Sequence, residues 1–502
     1  MKTPFANSDT AMFFSESASP APARSVSDQL LLRAGGVRMH ADSHVRILRD
    51  STENFPAWLE AVQSANRYIL MEMYIFADDP FGRQMLDLLV EKSRSGVRVV
   101  LVYDWLGSML PAMKNFFKPL RDAGGEVRAY NPPGFASGIG LLSRDHRKSI
   151  VVDGHTAFVG GLCVSSAWQG QPEKGTAPWR DTGVELHGAV VGDVIRALAD
   201  TLHSQNYALP ADIVCDIPAD GSGIRTGIAA TTPADNNLMR IDLNVVALAN
   251  RRLWLTDAYF MPTRLYTQAL ANAAEAGVDV RILVPRTSDI GWIARVSRTR
   301  YRELLRTGVR IFEWNGTMIH AKTAVADGIW ARIGSTNLNF SSWHLNRELD
   351  VLIEDAGTAA QLEQQFLHDL RNATEIVLND EERAETRRRR LQWLRRLKIA
   401  NRQQALAAAR QFMQLSHAFE GNLYGTGIVD EREIGAYLWL GFVLLTAAVV
   451  LWFFPRLLVL PLVLLAAAGG LSTLVYALKT RRRFIRSKRH KAQNGGTHSE
   501  PE

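Results

Sequence analysis

One His-x-Lys-x4-Asp pattern occurs twice in this chain, with matching residues after it. The first copy runs from His146 through Lys148 to Asp153, and Gly160 stands seven residues later. The second runs from His320 through Lys322 to Asp327, with Gly334 at the same distance. The histidines are 174 residues apart (146 to 320). A pattern this long, recurring with its flanks, asks for a chain built from two similar halves.

The neighbourhoods repeat as well. Arg67–Ile75 reads as a buried strand, Phe81–Ser95 as a helix and Val97–Tyr103 as a second strand. In the second half Arg252–Phe260, Arg264–Ala276 and Val278–Val284 read the same way, and a glycine precedes each second strand, Gly96 and Gly277. Strands alternating with helices predict an α/β fold with a largely parallel core sheet.

In a strand, residues i and i+2 share a face. His146 is therefore expected to point with Lys148, and His320 with Lys322. Packing two such halves about a pseudo-twofold axis brings two imidazoles and two ammonium groups to one seam. That set suits a phosphate: the lysines neutralise phosphoryl oxygens and stabilise the charge gained in the transition state. One imidazole can attack phosphorus while the other protonates the leaving oxygen. Histidine titrates near neutrality, so the two can hold opposite protonation states.

Charge is unevenly spread over the 502 residues. Residues 381–502 carry 20 Lys/Arg against 9 Asp/Glu, leaving 38 against 42 in residues 1–380. A slightly anionic body argues against a nucleic-acid tracker, which relies on clustered Lys/Arg. Cys163 and Cys215 are the two cysteines, too few for a disulfide framework or a four-cysteine zinc site. Residues 1–27, rich in Ser, Ala and Pro, read as a disordered lead-in rather than a signal peptide.

The expected organisation is a first lobe at 28–215, a second at 216–380 and a basic amphipathic helical linker at 381–430. Two charge-free runs follow at 435–454 and 457–478, broken by Pro455-Arg456, and a basic tail covers 479–502. Each run is long enough to cross a hydrocarbon core of ~30 Å at 1.5 Å per residue. Positive clusters on both outer ends predict a hairpin with both ends in the cytoplasm, spanning or re-entrant. The arginine-rich linker suits anionic lipid.

The chain resembles the phospholipase D superfamily, whose signature is a pair of these motifs per active site. The resemblance covers about residues 40–375 and is nearest to the bacterial cardiolipin synthase group. It is carried by the two motifs and by Leu70-Met-Glu72-Met-Tyr74-Ile, Trp179-Arg180-Asp181-Thr182, Thr256-Asp-Ala-Tyr259-Phe260 and Gly334-Ser-Thr-Asn337-Leu-Asn339. It implies two similar α/β/α lobes with pseudo-twofold symmetry, to which the charge-free runs add the expected C-terminal transmembrane hairpin. It also implies catalysis by the motif residues His146, Lys148, Asp153, His320, Lys322 and Asp327, without metal or cofactor. A phosphohistidine forms on one histidine, more often the first, with the other as general acid; the reverse assignment stays open. The motif aspartates are usually structural partners.

A later carboxylate usually orients each histidine. Asp181 lies 35 residues after His146, and Glu348 lies 28 after His320. Ser335 and Asn337 are expected at the substrate. One departure stands out: Cys163 occupies the place where the first half should carry an asparagine like Asn337.

The leading expectation is a cardiolipin synthase-type phosphatidyltransferase with phosphatidylglycerol as acceptor. Its partners would be phospholipids and an anionic bilayer, with no nucleic acid and an open oligomeric state. It would sit in the cytoplasmic (inner) membrane, its body on the cytoplasmic face. Alternatives are a phospholipase D that uses water, a nucleic-acid phosphodiesterase and a non-catalytic membrane scaffold.

Overall fold

Two βαβαβ runs, each followed by a tight hairpin, recur in the computed structural model, which describes residues 35–133, 143–219, 221, 223–233 and 235–378. Among the described residues fifteen strands form one sheet. They are β1 (His40–Arg49), β2 (Tyr68–Met73), β3 (Arg98–Asp104), β4 (Glu126–Tyr130), β5 (Lys148–Val152), β6 (Thr156–Gly160) and β7 (Thr182–Gly188) in the first half. The second half holds β8 (Ile224–Thr231), β9 (Arg252–Thr256), β10 (Asp279–Pro285), β11 (Arg310–Trp314), β12 (Thr323–Ala326), β13 (Trp330–Gly334), β14 (Glu348–Glu354) and β15 (Ala373–Ile376).

The order across the sheet repeats. It runs β4-β3-β2-β5-β6-β7-β1 in one half and β11-β10-β9-β12-β13-β14-β8 in the other, with β15 added outside β11 and β1 paired to β8 in the middle. The expectation of a largely parallel sheet is corrected. Four of the fourteen pairings are parallel, β2–β3, β3–β4, β9–β10 and β10–β11, and the rest are antiparallel. The helices Pro80–Arg94 and Arg264–Glu275 carry the chain back for a parallel start. The strands after the motif histidines instead turn at once, through three residues each (153–155 and 327–329), and so pair antiparallel.

Those turns are nearly superimposable in their backbone. Asp153 and Asp327 both sit at φ 54°, followed by Gly154 at 72° and Gly328 at 73°. Asp153 accepts the N–H groups of Asn66, Arg67 and Tyr68, each at 2.8 Å. Asp327 accepts those of Asn250, Arg251 and Arg252 at 2.8, 2.8 and 2.9 Å. Each aspartate thus fixes the start of β2 or β9.

Each half has its own apolar core, and a third crosses between them. Leu70, Val151, Val159, Val184 and Leu186 share that cluster with Val325, Ile333, Leu349, Val351 and Ile353. At about 1.5–3 kcal/mol per fully buried large aliphatic side chain, this shared core is what holds the two halves in fixed register. Among the described residues no helix is long and apolar enough to cross a membrane. The expected lead-in at 1–27, the linker at 381–430, the hairpin at 435–478 and the tail at 479–502 lie outside the described residues.

Candidate active site

His146 and His320 lie just before β5 and β12, at the sheet end reached by the C-termini of β2, β3, β9, β10 and β11. Neither is inside a strand. Each is held by a single bridge to the opposite half. The His146 N–H donates to Arg347 O at 2.9 Å, and the His320 N–H donates to Arg180 O at 2.7 Å. The residue after each acceptor is a carboxylate. Glu348 Oε2 lies 2.9 Å from His146 Nδ1, and Asp181 Oδ2 lies 2.8 Å from His320 Nδ1.

This corrects the expected pairing. The carboxylate that follows His146 in sequence serves His320, and the one that follows His320 serves His146. Asp181 lies just before β7 and Glu348 opens β14, and both strands belong to the packed middle of the molecule, where each faces the other half. Ser335 also meets Glu348, its Oγ donating to Oε2 at 2.6 Å. Trp168 does the same for Asp181, through Nε1 at 2.8 Å.

The lysines stand beside the rings. Lys148 Nζ donates to His146 O, and Lys322 Nζ donates to His320 O. Lys322 Nζ is also 3.0 Å from His320 Nε2. It is nearly as close to Nδ1, at 3.1 Å, and so lies against the ring rather than on one nitrogen; the Asp181 carboxylate only accepts, which places the shared proton on Nδ1. His146, Lys148, His320 and Lys322 are each under 10% exposed. Asn337 is buried with its Oδ1 unpaired.

Electrostatics follow from this crowding. Burial, with Lys322 beside it, pushes the His320 imidazole down to about 4. Burial lowers His146 as well; Glu348 opposes that, and Lys148 and the more distant Lys322 add to it. Lys322 is pushed down to about 8 by burial. Burial would raise Asp181 and Glu348, but the imidazole each one binds holds it below its ordinary value. Each lysine acts on the histidine of the other half, so the four groups share one field.

The structure brings His146, Lys148, His320, Lys322, Asp181, Glu348 and Ser335 into one hydrogen-bonded and electrostatic network, and Asn337 is buried two residues beyond Ser335. It does not bring Asp153 or Asp327 there. Each lies at the opposite end of its motif strand, about 15 Å or more away at ~3.3 Å per residue. Cys163 is buried, its thiol pushed up by burial and within the field of both lysines.

Several site residues were not singled out from sequence. The Tyr74 ring meets His146 edge-on at 4.9 Å, and the Tyr259 ring stands 5.8 Å from His320. Both follow an acidic residue two places earlier, Glu72 and Asp257, which is a second repeat that the sequence carried. Arg147 threads between the halves, donating to Glu348 O, Ala197 O, Thr201 Oγ1 and Thr231 O at 3.1, 2.6, 2.9 and 2.8 Å.

Comparisons with known proteins agree with this architecture. The family model described as "Cardiolipin synthase, PLD-like domain" matches residues 58–168 and 243–370. Cardiolipin synthase A of Pseudomonas fluorescens (strain SBW25) is 35% identical over 353 residues, covering 69% of this chain and 72% of the relative. The probable cardiolipin synthase YwiE of Bacillus subtilis (strain 168) is 30% identical over 351 residues, 69% of each. The crystal structure of a phosphatidylserine synthase from Haemophilus influenzae Rd KW20 superposes with a TM-score of 0.54 at 15% identity, over 67% of this chain and 88% of that one. That last likeness is one of fold.

Proposed function

The chain belongs to the phospholipase D-like cardiolipin synthase family and is a phosphatidyltransferase; on that premise we propose that it passes a phosphatidyl group from a donor phospholipid to phosphatidylglycerol through a phosphohistidine. The observation that carries this reading is the crossed pair of histidines, each braced by the other half's carboxylate and flanked by a lysine.

The steps follow from the atoms. His146, with Nδ1 bound to Glu348, presents Nε2 as nucleophile to the donor's phosphorus. The bond from phosphorus to the leaving alcohol breaks, and His320 gives that oxygen a proton. Lys148, Lys322 and Asn337 hold the phosphoryl oxygens. At rest His320 is neutral, because two ammonium groups surround it in a buried site. An incoming phosphodiester anion offsets those charges and raises its proton affinity, so it can serve as acid. A hydroxyl of phosphatidylglycerol then loses its proton to His320 and attacks phosphorus. The P–N bond breaks, and His146 is restored. Ser335 supports Glu348, while Asp153 and Asp327 hold the β-strands from the far end.

The basic linker and the two charge-free runs at 435–454 and 457–478 support anchoring in the cytoplasmic membrane, with the body on the cytoplasmic face. The test is to express the full chain in a bacterial strain without cardiolipin and to analyse its lipids by mass spectrometry. Cardiolipin is expected with the native chain and not with His146→Ala. Phosphatidic acid in its place would make water the acceptor and replace this reading with a hydrolase.

A further inference from the structure

The chain around the two histidines exposes apolar side chains on both halves. Between β3 and β4 these are Leu106, Leu110 and Met113, the last two 65% and 69% exposed. In the second half they are Ile290, Val296 and Phe340, the last 53% exposed. Water-facing residues of this size are unremarkable singly, but these are gathered on one functional edge.

Residues beside them hydrogen-bond the segments that carry Tyr74 and Tyr259, whose rings meet the histidines. Ser108, between Leu106 and Leu110, donates to Tyr74 O at 3.2 Å and accepts from the Phe76 N–H at 2.9 Å. Asp289, next to Ile290, accepts from Tyr259 Oη at 2.9 Å. Ser297, next to Val296, donates to Phe260 O at 2.7 Å, and Asn339, next to Phe340, donates to Tyr259 O at 3.1 Å. The apolar groups therefore sit around the mouth of the site, not at random on the surface. Exposed Lys114 and Arg286 stand on the same flanks and suit lipid phosphates.

The described chain joins the body from the opposite end. The start of β1 lies with the Gly188 end of β7, and β15 runs from Ala373, opposite Trp314, to Ile376, opposite Ile311, away from the site. The described chain therefore leaves the body on the side away from the histidines. Resting on the phosphatidyltransferase reading, we propose that this two-sided rim seats in the surface of an anionic phospholipid bilayer and turns the histidine pair onto the lipid phosphates. The fit is chemical: apolar side chains enter between acyl chains while the flanking cations meet head groups.

The test uses the full chain with Cys215→Ser, reconstituted in phosphatidylcholine/phosphatidylglycerol vesicles. An environment-sensitive fluorophore is placed at Leu110→Cys. A control label goes at Leu248→Cys, which is exposed and two residues from Asn250 at the far end. The Leu110 label should shift to the blue on reconstitution and be quenched by lipid-borne quencher, and the Leu248 label should not. In parallel, Leu110→Asp/Met113→Asp/Phe340→Asp should lower turnover of vesicle lipid by about 10-fold or more. Its turnover of a short-chain, water-soluble phosphatidylglycerol should stay within about twofold, since the histidine site is untouched. Equal quenching at both labels, or unchanged vesicle turnover, overturns the proposal. So does a blue-shifted Leu110 label that lipid cannot quench, which would mean that protein covers the rim. A quenched Leu110 label on a native chain that turns over neither lipid would keep the docking and sink the phosphatidyltransferase reading instead.

Discussion

The two half-sites share a skeleton and differ in their braces. In both, an aspartate at φ 54° collects three backbone N–H groups, a tyrosine ring stands against the histidine, and the histidine N–H crosses to the other half. The carboxylates differ. The first half supplies the shorter Asp181, steadied by Trp168, and the second the longer Glu348, steadied by Ser335. Gly161 stands where the second half has Ser335, and a Cβ there would come 2.2 Å from Asp181 Oδ1. The first half gives up a hydroxyl to make room for its carboxylate, and the indole replaces the lost donor. The lesson is that the repeat conserves where the catalytic atoms stand while the means of holding them drifts. Because each brace comes from the other half, neither half alone has a complete site.

The strongest way to break the equivalence is to remove each histidine. If His146 is the nucleophile, both alanine variants lose on the order of 10⁴-fold or more in turnover, as members of a catalytic unit do. They differ in what accumulates. After acid quench, His320→Ala carries labelled phosphatidyl adduct from a donor with a good leaving group, and His146→Ala carries none. Adduct on His146→Ala would exchange the two roles.

The crossed carboxylates come next. Replacing a histidine-orienting carboxylate by its amide costs on the order of 10³–10⁴-fold when tautomer and orientation are lost. Glu348→Gln should therefore slow adduct formation through His146. Asp181→Asn should slow leaving-group protonation through His320, and a phenolate leaving group that needs no proton should rescue it. Rescue of Glu348→Gln instead would undo the assignment.

How much of this the sequence carried depends on distance along the chain. The motif strands, the βαβ helices and the lysines were legible from local periodicity. The observed helix Pro80–Arg94 differs from the expected Phe81–Ser95 by one residue at each end. The antiparallel hairpins were announced by Asp153-Gly154 and Asp327-Gly328, an Asp-Gly signal between apolar runs that the parallel reading passed over. The exchange of carboxylates was not legible. His146–Glu348 spans 202 residues and His320–Asp181 spans 139. No local pattern distinguishes that pairing from the nearer one; the shared core between β5–β7 and β12–β14 decides it. Arg147 stands at the unspecified position of the motif, and nothing local announces that its guanidinium links four partners distant in sequence.

The lysines sharpen the comparison through pH. Lys148→Met and Lys322→Met should each cost on the order of 10²–10³-fold, as lost oxyanion donors do. Lys322 has its pKa lowered to about 8, so it is charged below that pH and loses its charge as pH rises through it. The kcat/KM profile reports the free enzyme, so it should decline above the His320 value of about 4 as the acid is lost and steepen near pH 8 as Lys322 loses its charge; Lys322→Arg, which keeps its charge, should move that second, basic limb upward. On the acid side, His146 must be unprotonated to attack. Burial lowers its pKa, so that limb should lie below the ordinary histidine value of 6.5. A basic limb that stays in place in Lys322→Arg would assign it to another group.

The smallest expected effect separates Cys163 from Asn337, which hold matching places after Gly160 and Gly334. Asn337 is buried with Oδ1 unpaired, and an amide can donate and accept at once. A thiol does either weakly, and burial keeps that of Cys163 protonated. If the second half holds the phosphate more firmly, Asn337→Ala should raise KM about 10-fold, the worth of a hydrogen bond to a charged group. Cys163→Ser should stay within about threefold, since one weak donor replaces another in a packed pocket. The thiol should also resist an aqueous thiol reagent in the folded protein and react when the chain is unfolded. A native chain inactivated by that reagent, with Cys215→Ser in place and protection by substrate, would show that Cys163 reaches the phosphate. The two half-sites would then be closer in function than their residues suggest.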